Sequence, residues 1–111
     1  MRALVYRGTE LILEQAYPPP TPVEGEALLR VSLMGICNTD LEIVRGYMSF
    51  KGVLGHEFVG TVEEIYGAQH EHLLGKRVVG EINAACHRAD CWYCMHAMPT
   101  QCPQRTTLGI L

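Results

Sequence analysis

The sequence predicts a mainly β protein, a β-barrel or β-sandwich with one short helix and a cysteine-rich lobe. Short runs of strand-forming residues recur as far as Asn83, and glycine and proline turns separate them. Four of the five cysteines then fall within the seventeen residues from Cys86 to Cys102. The 111 residues suffice for one domain, residues 1–111, with a single hydrophobic core.

The first elements in chain order are strands. Ala3–Tyr6 and Leu11–Gln15 flank the turn-forming Gly8-Thr9 and are expected to pair as a hairpin. Tyr17–Pro22 contains four prolines, which exclude a regular strand or helix and force an extended loop. Glu26–Ile36 follows as a long strand candidate.

A short helix is expected at Asn38–Gly46, where Asn38 or Thr39 can cap its start and Gly46 can end it. Val53–Tyr66 resumes strand character, with β-branched and aromatic residues along its length. The remaining segments are a loop at 67–75, a strand at Lys76–Ile82 and, after Asn83, the irregular cysteine-rich lobe.

Charge and hydropathy exclude several classes of protein. Nine basic and twelve acidic residues give a net charge of −3, and the basic residues are dispersed, so we expect no nucleic-acid or anionic-membrane partner. The opening MRALVYRG lacks the apolar core of a secretory leader, and no apolar run approaches the ~18 residues of a membrane span. We therefore expect a cytoplasmic protein with reduced thiols, in which a cysteine cluster binds metal or is catalytic.

The lobe over residues 84–104 contains the cysteine cluster, with the spacing Cys86-x4-Cys91-x2-Cys94-x7-Cys102. Closely spaced ligands followed by a returning loop can bring four sulfurs to a tetrahedral zinc ion, about 2.3 Å from each. The lobe has few large apolar side chains, so zinc would supply folding free energy that burial cannot. A closed four-sulfur site leaves no position for a substrate, and such a zinc would be structural.

Other interpretations of the lobe stay open. The C-x-x-C of Cys91 and Cys94 also occurs in thioredoxin-like redox pairs, although no accompanying βαβ unit is predicted. The cysteines can also be reduced and metal-free. Within a zinc site, His87 or His96 could replace one of the four sulfurs.

A second group of chemically capable residues lies outside the lobe. Cys37 follows a predicted strand, and Gly55-His56-Glu57 is centred nineteen residues later. Taken singly, each signal is weak, because a lone cysteine is most often a small buried hydrophobe. A histidine beside a glutamate is most often a surface pair.

Together the segments GICNTD and GVLGHEFVG resemble the catalytic-zinc segments of the zinc-dependent medium-chain alcohol dehydrogenases. The cysteine lobe resembles the structural-zinc loop of that family, and the opening MRALVY and the proline-rich loop before GEALLRV also fit. The resemblance implies a GroES-like β-barrel, with residues 1–111 forming the N-terminal part of the catalytic domain.

The resemblance also implies roles for individual residues. Cys37 would be the thiolate ligand and His56 the imidazole ligand of a catalytic zinc, with Glu57 an exchangeable ligand or an adjacent supporting carboxylate. Asp40 would hydrogen-bond His56 and fix its tautomer. Thr39 would take the proton of the alcohol. The implied structural zinc ligands are Cys86, Cys91, Cys94 and Cys102.

The activity implied by the resemblance is that of an oxidoreductase. Zinc polarises an alcohol, and a nicotinamide, NAD or NADP, takes the hydride. The implied partner is a small alcohol, polyol or sugar, and assembly into a homo-oligomer is left open. The chain has no G-x-G-x-x-G and no alternating strand–helix pattern, so we expect a fragment that stops before the nucleotide-binding domain and has no activity in isolation.

Two further departures from the family pattern affect individual residues. Four residues, HRAD, separate Cys86 from Cys91 where the family usually has two, which makes Cys86 the least certain ligand. Glu42 stands where many alcohol dehydrogenases have a relay histidine, and an acidic residue there favours a polyol or sugar unless it is only a helix-surface charge. The main alternative function is a non-catalytic zinc-binding module, while a zinc-free quinone-reductase-like protein would not need these ligands.

Overall fold

The structure is a computed structural model that describes residues 1–110, and it is built mainly from antiparallel strands. The strands are β1 (Ala3–Tyr6), β2 (Leu11–Glu14), β3 (Ala27–Met34), β4 (Gly52–Val53), β5 (Phe58–Ile65), β6 (Arg77–Val79), β7 (Asn83–Ala84) and β8 (Thr106–Thr107). The helices are α1 (Asn38–Val44) and α2 (Trp92–Met95), with 3₁₀ turns at Tyr47–Ser49, Ala68–Leu73 and Pro99–Gln101.

The first sheet has the order β2-β1-β4. β1 and β2 form the predicted hairpin, with Ala3 opposite Glu14 and Tyr6 opposite Leu11. β4 pairs on the other edge of β1, where Gly52 lies opposite Tyr6. Leu54, the residue after β4, is buried and donates its N–H to the Leu4 carbonyl at 3.0 Å.

The second sheet has the order β3-β5-β6 and supplies the longest strand pair. β3 and β5 run antiparallel from Ala27 opposite Ile65 to Met34 opposite Phe58. The pairing is irregular at two points along β3, and such bulges bend and twist a sheet. Because Met34 and Phe58 are paired, Cys37 and His56 emerge from neighbouring strand ends.

The two sheets, the β7–β8 pair and the few short helices confirm the predicted mainly β class. The prediction of one strand over Val53–Tyr66 was wrong, because residues 54–57 leave the sheet between β4 and β5. Gly55 adopts a φ of +116° there, which the other residue types rarely adopt. The predicted loop at 67–75 contains a 3₁₀ turn, and strand pairing continues past Asn83 because β7 pairs with β8.

A small apolar core joins α1 to the first sheet. Tyr6, Ile43 and Leu54 are buried together, and the partly buried Phe50 and Ile110 pack against them. The Tyr6 hydroxyl lies 3.2 Å from the carbonyl oxygen of Val44, at the end of α1. Among residues 1–110, no helix has the length and apolar character needed to cross a bilayer.

Candidate metal centres

The first centre begins at the N-terminus of α1. The Cys37 sulfur caps the helix, accepting the Thr39 backbone N–H at 3.4 Å, while the Asp40 carboxylate accepts the Cys37 N–H at 2.8 Å. This reciprocal pair is a capping box with a sulfur in the place of the usual oxygen. The prediction of Asn38 or Thr39 as the cap was therefore wrong. Gly46 ends the helix as predicted, with φ +103° and its N–H on the Ile43 carbonyl.

His56 approaches Cys37 from the segment between β4 and β5. Its side chain is buried, and its Nδ1 lies 3.3 Å from Oδ1 of Asp40. The two atoms are close, but their alignment is not that of a hydrogen bond, and neither has another partner among the described residues. Asp40 thus uses one carboxylate oxygen for the Cys37 cap and turns the other towards His56.

Glu57 and Thr39 complete this group. The Glu57 backbone carbonyl accepts the Gly35 N–H at 2.9 Å, and its carboxylate lies against the Cα of Gly35, 2.8 Å from where a Cβ would stand. The Thr39 hydroxyl lies 3.5 Å from the Cys37 sulfur. One ligand atom each from Cys37, His56 and Glu57 lies within 4.8 Å of the others.

The donor set of this first centre fits a zinc ion. Thiolate, imidazole and carboxylate are the three ligand types that zinc binds in proteins. Because Nδ1 of His56 faces Asp40, Nε2 is the ring nitrogen left for a metal, and metal binding there would direct an Nδ1 proton towards Asp40.

A cavity of about 380 Å³ opens beside His56 and Glu57, and its wall includes the acidic Glu81. Hydrogen bonds from the Asn83 backbone N–H at 3.0 Å and its side-chain amide at 2.9 Å lower the pKa of the Glu81 carboxyl. Sequence reasoning did not single out Glu81, because no spacing or motif marks it. The apolar part of the wall comes from Phe58, Val79 and Ile82.

The second centre is the cysteine lobe, where the four sulfurs converge. The Sγ–Sγ distances are 3.5 Å for Cys86–Cys102, 3.8 Å for Cys86–Cys94 and 3.9 Å for Cys91–Cys102. Sulfurs at the corners of a tetrahedron around zinc are about 3.8 Å apart, whereas a disulfide joins sulfurs at about 2.05 Å. The four thiols are free cysteines and have the dimensions of a tetrahedral zinc site.

The longer loop after Cys86 reaches the cluster through a tight turn. His87 adopts a φ of +48°, the Cys91 N–H bonds the Arg88 carbonyl at 3.1 Å, and Arg88 pairs with Asp90 across the turn. The extra residues of HRAD therefore form a surface turn and leave the Cys86 sulfur inside the group. His96 does not point at the sulfurs, because its ring stacks on Trp92 with centroids 4.3 Å apart.

The surroundings of the lobe thiols shift their pKa values in opposite directions. The backbone N–H of Cys86 lowers the pKa of Cys102 to about 7, whereas burial raises the pKa of Cys94 to about 12. The Arg88 N–H lowers the pKa of Cys86, but burial and the neighbouring thiols outweigh it and leave that pKa raised. Thiols that are hard to ionise individually fit a site in which a cation balances several thiolates.

Glu42 lies apart from both centres on the exposed face of α1. Its carboxylate pairs with the Arg45 guanidinium at 2.6 Å, one turn along the helix. The contact is that of an ordinary helix-surface ion pair, so this structure gives no separate support to Glu42 as a substrate selector.

Comparison with known proteins gives consistent matches over the chain. A family model described as "Alcohol dehydrogenase GroES-like domain" matches residues 23–110. L-threonine 3-dehydrogenase of Xanthomonas oryzae is 36% identical over 99% of this chain and 34% of its own length. AdhB of Bacillus subtilis, a zinc-type alcohol dehydrogenase-like protein, is 29% identical over 98% of this chain and 29% of its own.

A solved structure gives the same result for the fold. The alcohol dehydrogenase RspB of Escherichia coli CFT073, crystallised with NADH, superposes with a TM-score of 0.85 and 29% sequence identity. The match covers 99% of this chain and 32% of that one. The chain therefore spans about a third of the length of the relatives it matches.

Proposed function

The chain belongs to the alcohol dehydrogenase GroES-like domain family, and on that premise we propose that it carries the metal centres of a zinc-dependent oxidoreductase. The reaction is the oxidation of a small alcohol, polyol or sugar with NAD or NADP as hydride acceptor. The substrate named for one relative, L-threonine, and the NADH bound to another support a small hydroxylated substrate and a nicotinamide.

The convergence of Cys37, His56 and Glu57 is the observation that carries this proposal. Their ligand atoms come from the start of α1 and from the 54–57 segment, yet lie within 4.8 Å of one another. A protein with a structural zinc alone would need no second group of this kind. The cavity beside His56 and Glu57 leaves the centre open on one side, as a catalytic zinc site requires.

Cys37, His56 and Glu57 would hold the zinc ion, which would supply Lewis-acid polarisation of the substrate hydroxyl. In this proposal Thr39 accepts the hydroxyl proton, and the support for this role is that its hydroxyl lies 3.5 Å from the Cys37 sulfur. Asp40 holds the Cys37 backbone and faces Nδ1 of His56, so it orients two ligands at once. Glu57, which is exposed, can act as an exchangeable ligand.

The cysteine lobe takes the structural role in this proposal. Cys86, Cys91, Cys94 and Cys102 form a closed set of four sulfurs, which leaves no open position for a substrate. That the 111 residues alone turn over no alcohol, and that the protein is cytoplasmic, both stay predictions.

Metal analysis of the Cys37→Ser variant tests the proposal. Serine is among the best helix caps, so the substitution keeps the start of α1 while removing the thiolate ligand. We expect about two zinc ions per wild-type chain and about one in the variant, since the lobe retains its four sulfurs.

The variant Glu42→Gln, on the exposed face of the same helix, is the matched control and should keep both ions. A wild-type chain that holds a single zinc, unchanged by Cys37→Ser, would refute the catalytic centre and favour a purely structural zinc module.

A further inference from the structure

The turn that follows β8 presses directly on the backbone that carries His56. A Cβ built on Gly109 would meet the Gly55 carbonyl oxygen, and would stand 2.8 Å from the Gly55 carbonyl carbon and 3.1 Å from its nitrogen. The Gly55 backbone cannot move aside for such a Cβ as the end of a flexible side chain could. Glycine at position 109 is therefore what permits this approach, and its φ of +67° also favours glycine.

Three contacts hold Gly109 in this place. The Leu108 N–H donates to the Ile82 carbonyl at 3.0 Å, and the Ile110 N–H closes the turn on Thr107 at 3.1 Å. The Ile110 side chain packs against the core formed by Tyr6, Ile43 and Leu54. Leu54, the residue before Gly55, belongs to this core, so the turn contacts the Gly55 backbone and also packs on the core that contains Leu54.

The same turn is continuous with the cysteine lobe. Cys102 is fully buried, and its carbonyl accepts the Arg105 N–H at 3.2 Å, immediately before β8. β8 pairs with β7, with Ala84 opposite Thr106, and Ala84 lies two residues before Cys86. Both ends of the lobe are therefore fixed in one two-stranded pair, from which the turn runs to Gly55.

We infer that Gly109 is a positioning residue for the first metal centre. Because it has no side chain, the turn at 107–110 can pack against the Gly55 backbone. This contact sets the position of His56 relative to Cys37. Through β7 and β8, the folded cysteine lobe supports the geometry of the first centre, although the two centres share no ligand. The inference rests on the proposed function in that it takes Cys37, His56 and Glu57 to bind a metal.

Cobalt titration of Gly109→Ala tests the inference, because Co²⁺ substitutes for zinc and its spectrum reports each site without any turnover. A four-thiolate site gives stronger sulfur-to-cobalt absorption than a site with one thiolate. We expect the lobe to fill normally and the affinity of the first centre for Co²⁺ to fall about 10–100-fold, as when a group that orients a metal ligand is removed.

Gly75→Ala is the matched control. Gly75 has a φ of +73°, close to that of Gly109, but a Cβ there meets nothing within 4 Å. It carries the same backbone strain without the collision and should bind two Co²⁺ ions with wild-type affinity. Equal affinity of the first centre in wild-type, Gly109→Ala and Gly75→Ala chains overturns the inference.

A second variant covers the case in which Gly109→Ala does not fold. Ile110→Ala removes the packing of the turn on the core without introducing a collision. We expect a loss of Co²⁺ affinity that is smaller than in Gly109→Ala and confined to the first centre. Unchanged affinity there overturns the inference. A wild-type chain that binds no second Co²⁺ ion refutes the proposed function itself, which keeps the two failures distinct.

Discussion

At the scale of single residues, the first centre depends on side chains that each serve two purposes. The Cys37 sulfur caps α1 and is also the candidate thiolate ligand, so the helix start fixes where the sulfur stands. Asp40 completes the cap with one oxygen and faces His56 with the other. Because the same atoms define the helix and the centre, the ligands are held in place before a metal arrives.

The lack of a side chain at Gly35 leaves room for the Glu57 carboxylate. A Cβ at position 35 would stand 2.8 Å from Oε2 of Glu57, and no positive φ opposes a side chain there. We expect Gly35→Ala to fold normally but to displace the carboxylate, which weakens metal binding at the first centre about tenfold. Competition with a chelator of known affinity measures the change.

A double-mutant cycle identifies the cause of that change. If Gly35→Ala acts through Glu57, it has no further effect in a chain that already carries Glu57→Ala. An equal loss of metal affinity in both backgrounds would mean that the alanine disturbs β3 or Cys37 instead.

Residue types and spacing singled out the four lobe cysteines, because closely spaced thiols are typical of metal sites. Cys37 and His56 were singled out only by the resemblance of their segments to a known family, and neither signal indicated how each side chain is held. Cys37 as a helix cap was missed because cap preferences favour Ser, Thr, Asp and Asn, two of which follow it directly as Asn38 and Thr39.

At the scale of elements, the cysteine lobe is a loop whose metal affinity depends on protons. The pKa of Cys94 is about 12 and that of Cys86 is raised, so at pH 7 both hold protons that a zinc ion must displace. Partial burial of Cys86 and Cys94 favours the neutral thiols, so protons oppose metal binding throughout the neutral range. The Cys102 thiol, with a pKa of about 7, adds a third proton below neutrality.

We therefore expect the zinc affinity of the lobe to rise steeply with pH. The protons displaced from Cys94 and Cys86 alone correspond to at least about 100-fold in affinity per pH unit near pH 8, and the slope steepens below pH 7 as Cys102 becomes protonated. Chelator competition between about pH 6 and pH 8 gives the slope, with the Cys37→Ser chain used to isolate the lobe. A slope under tenfold per unit would mean that the thiols are already ionised.

The elements that sequence predicted best are those fixed by neighbours in the chain. The β1–β2 hairpin is confirmed, since a short turn at Gly8 joins two strand-forming runs. The break at residues 54–57 was missed because Val53–Tyr66 is rich in strand formers throughout. The contacts of that segment are with distant parts of the chain, because a Cβ on Gly55 would meet the Met34 side chain and Gly109 packs against the Gly55 backbone.

At the scale of the whole molecule, few apolar side chains are buried for a chain of this length. Among residues 1–110 the buried apolar side chains are few, and one of them is the Cys102 thiol. Large apolar side chains at the ends of β3 and β6 are exposed to solvent, Leu33 to 64% and Val79 to 72%. The family and the mainly β class followed from the sequence because short motifs and strand runs specify them, whereas the extent of burial depends on contacts between distant segments.

The lobe contributes little to this burial, so its order should depend on metal. Between Cys86 and Cys102 only Cys102 is buried, and Trp92 is 58% exposed. Ordering such a segment costs about 1–2 kcal/mol per residue in backbone entropy, which its apolar contacts do not offset without a bound ion. The long β3–β5 ladder has its own pairing and needs no metal.

Removal of zinc with a strong chelator should therefore unfold the molecule in parts. We expect amide hydrogen exchange to accelerate first in α2, the 3₁₀ turn at Pro99–Gln101 and the β7–β8 pair, while β3 and β5 stay protected. The Cys37→Ser chain, which keeps the lobe ligands, should show no such change before chelation. Simultaneous loss of protection in the lobe and in β3–β5 would contradict this order. It would mean that the lobe and the sheets unfold as one cooperative unit, whereas we expect the metal to hold the lobe and the Gly109 turn to connect it to the sheets.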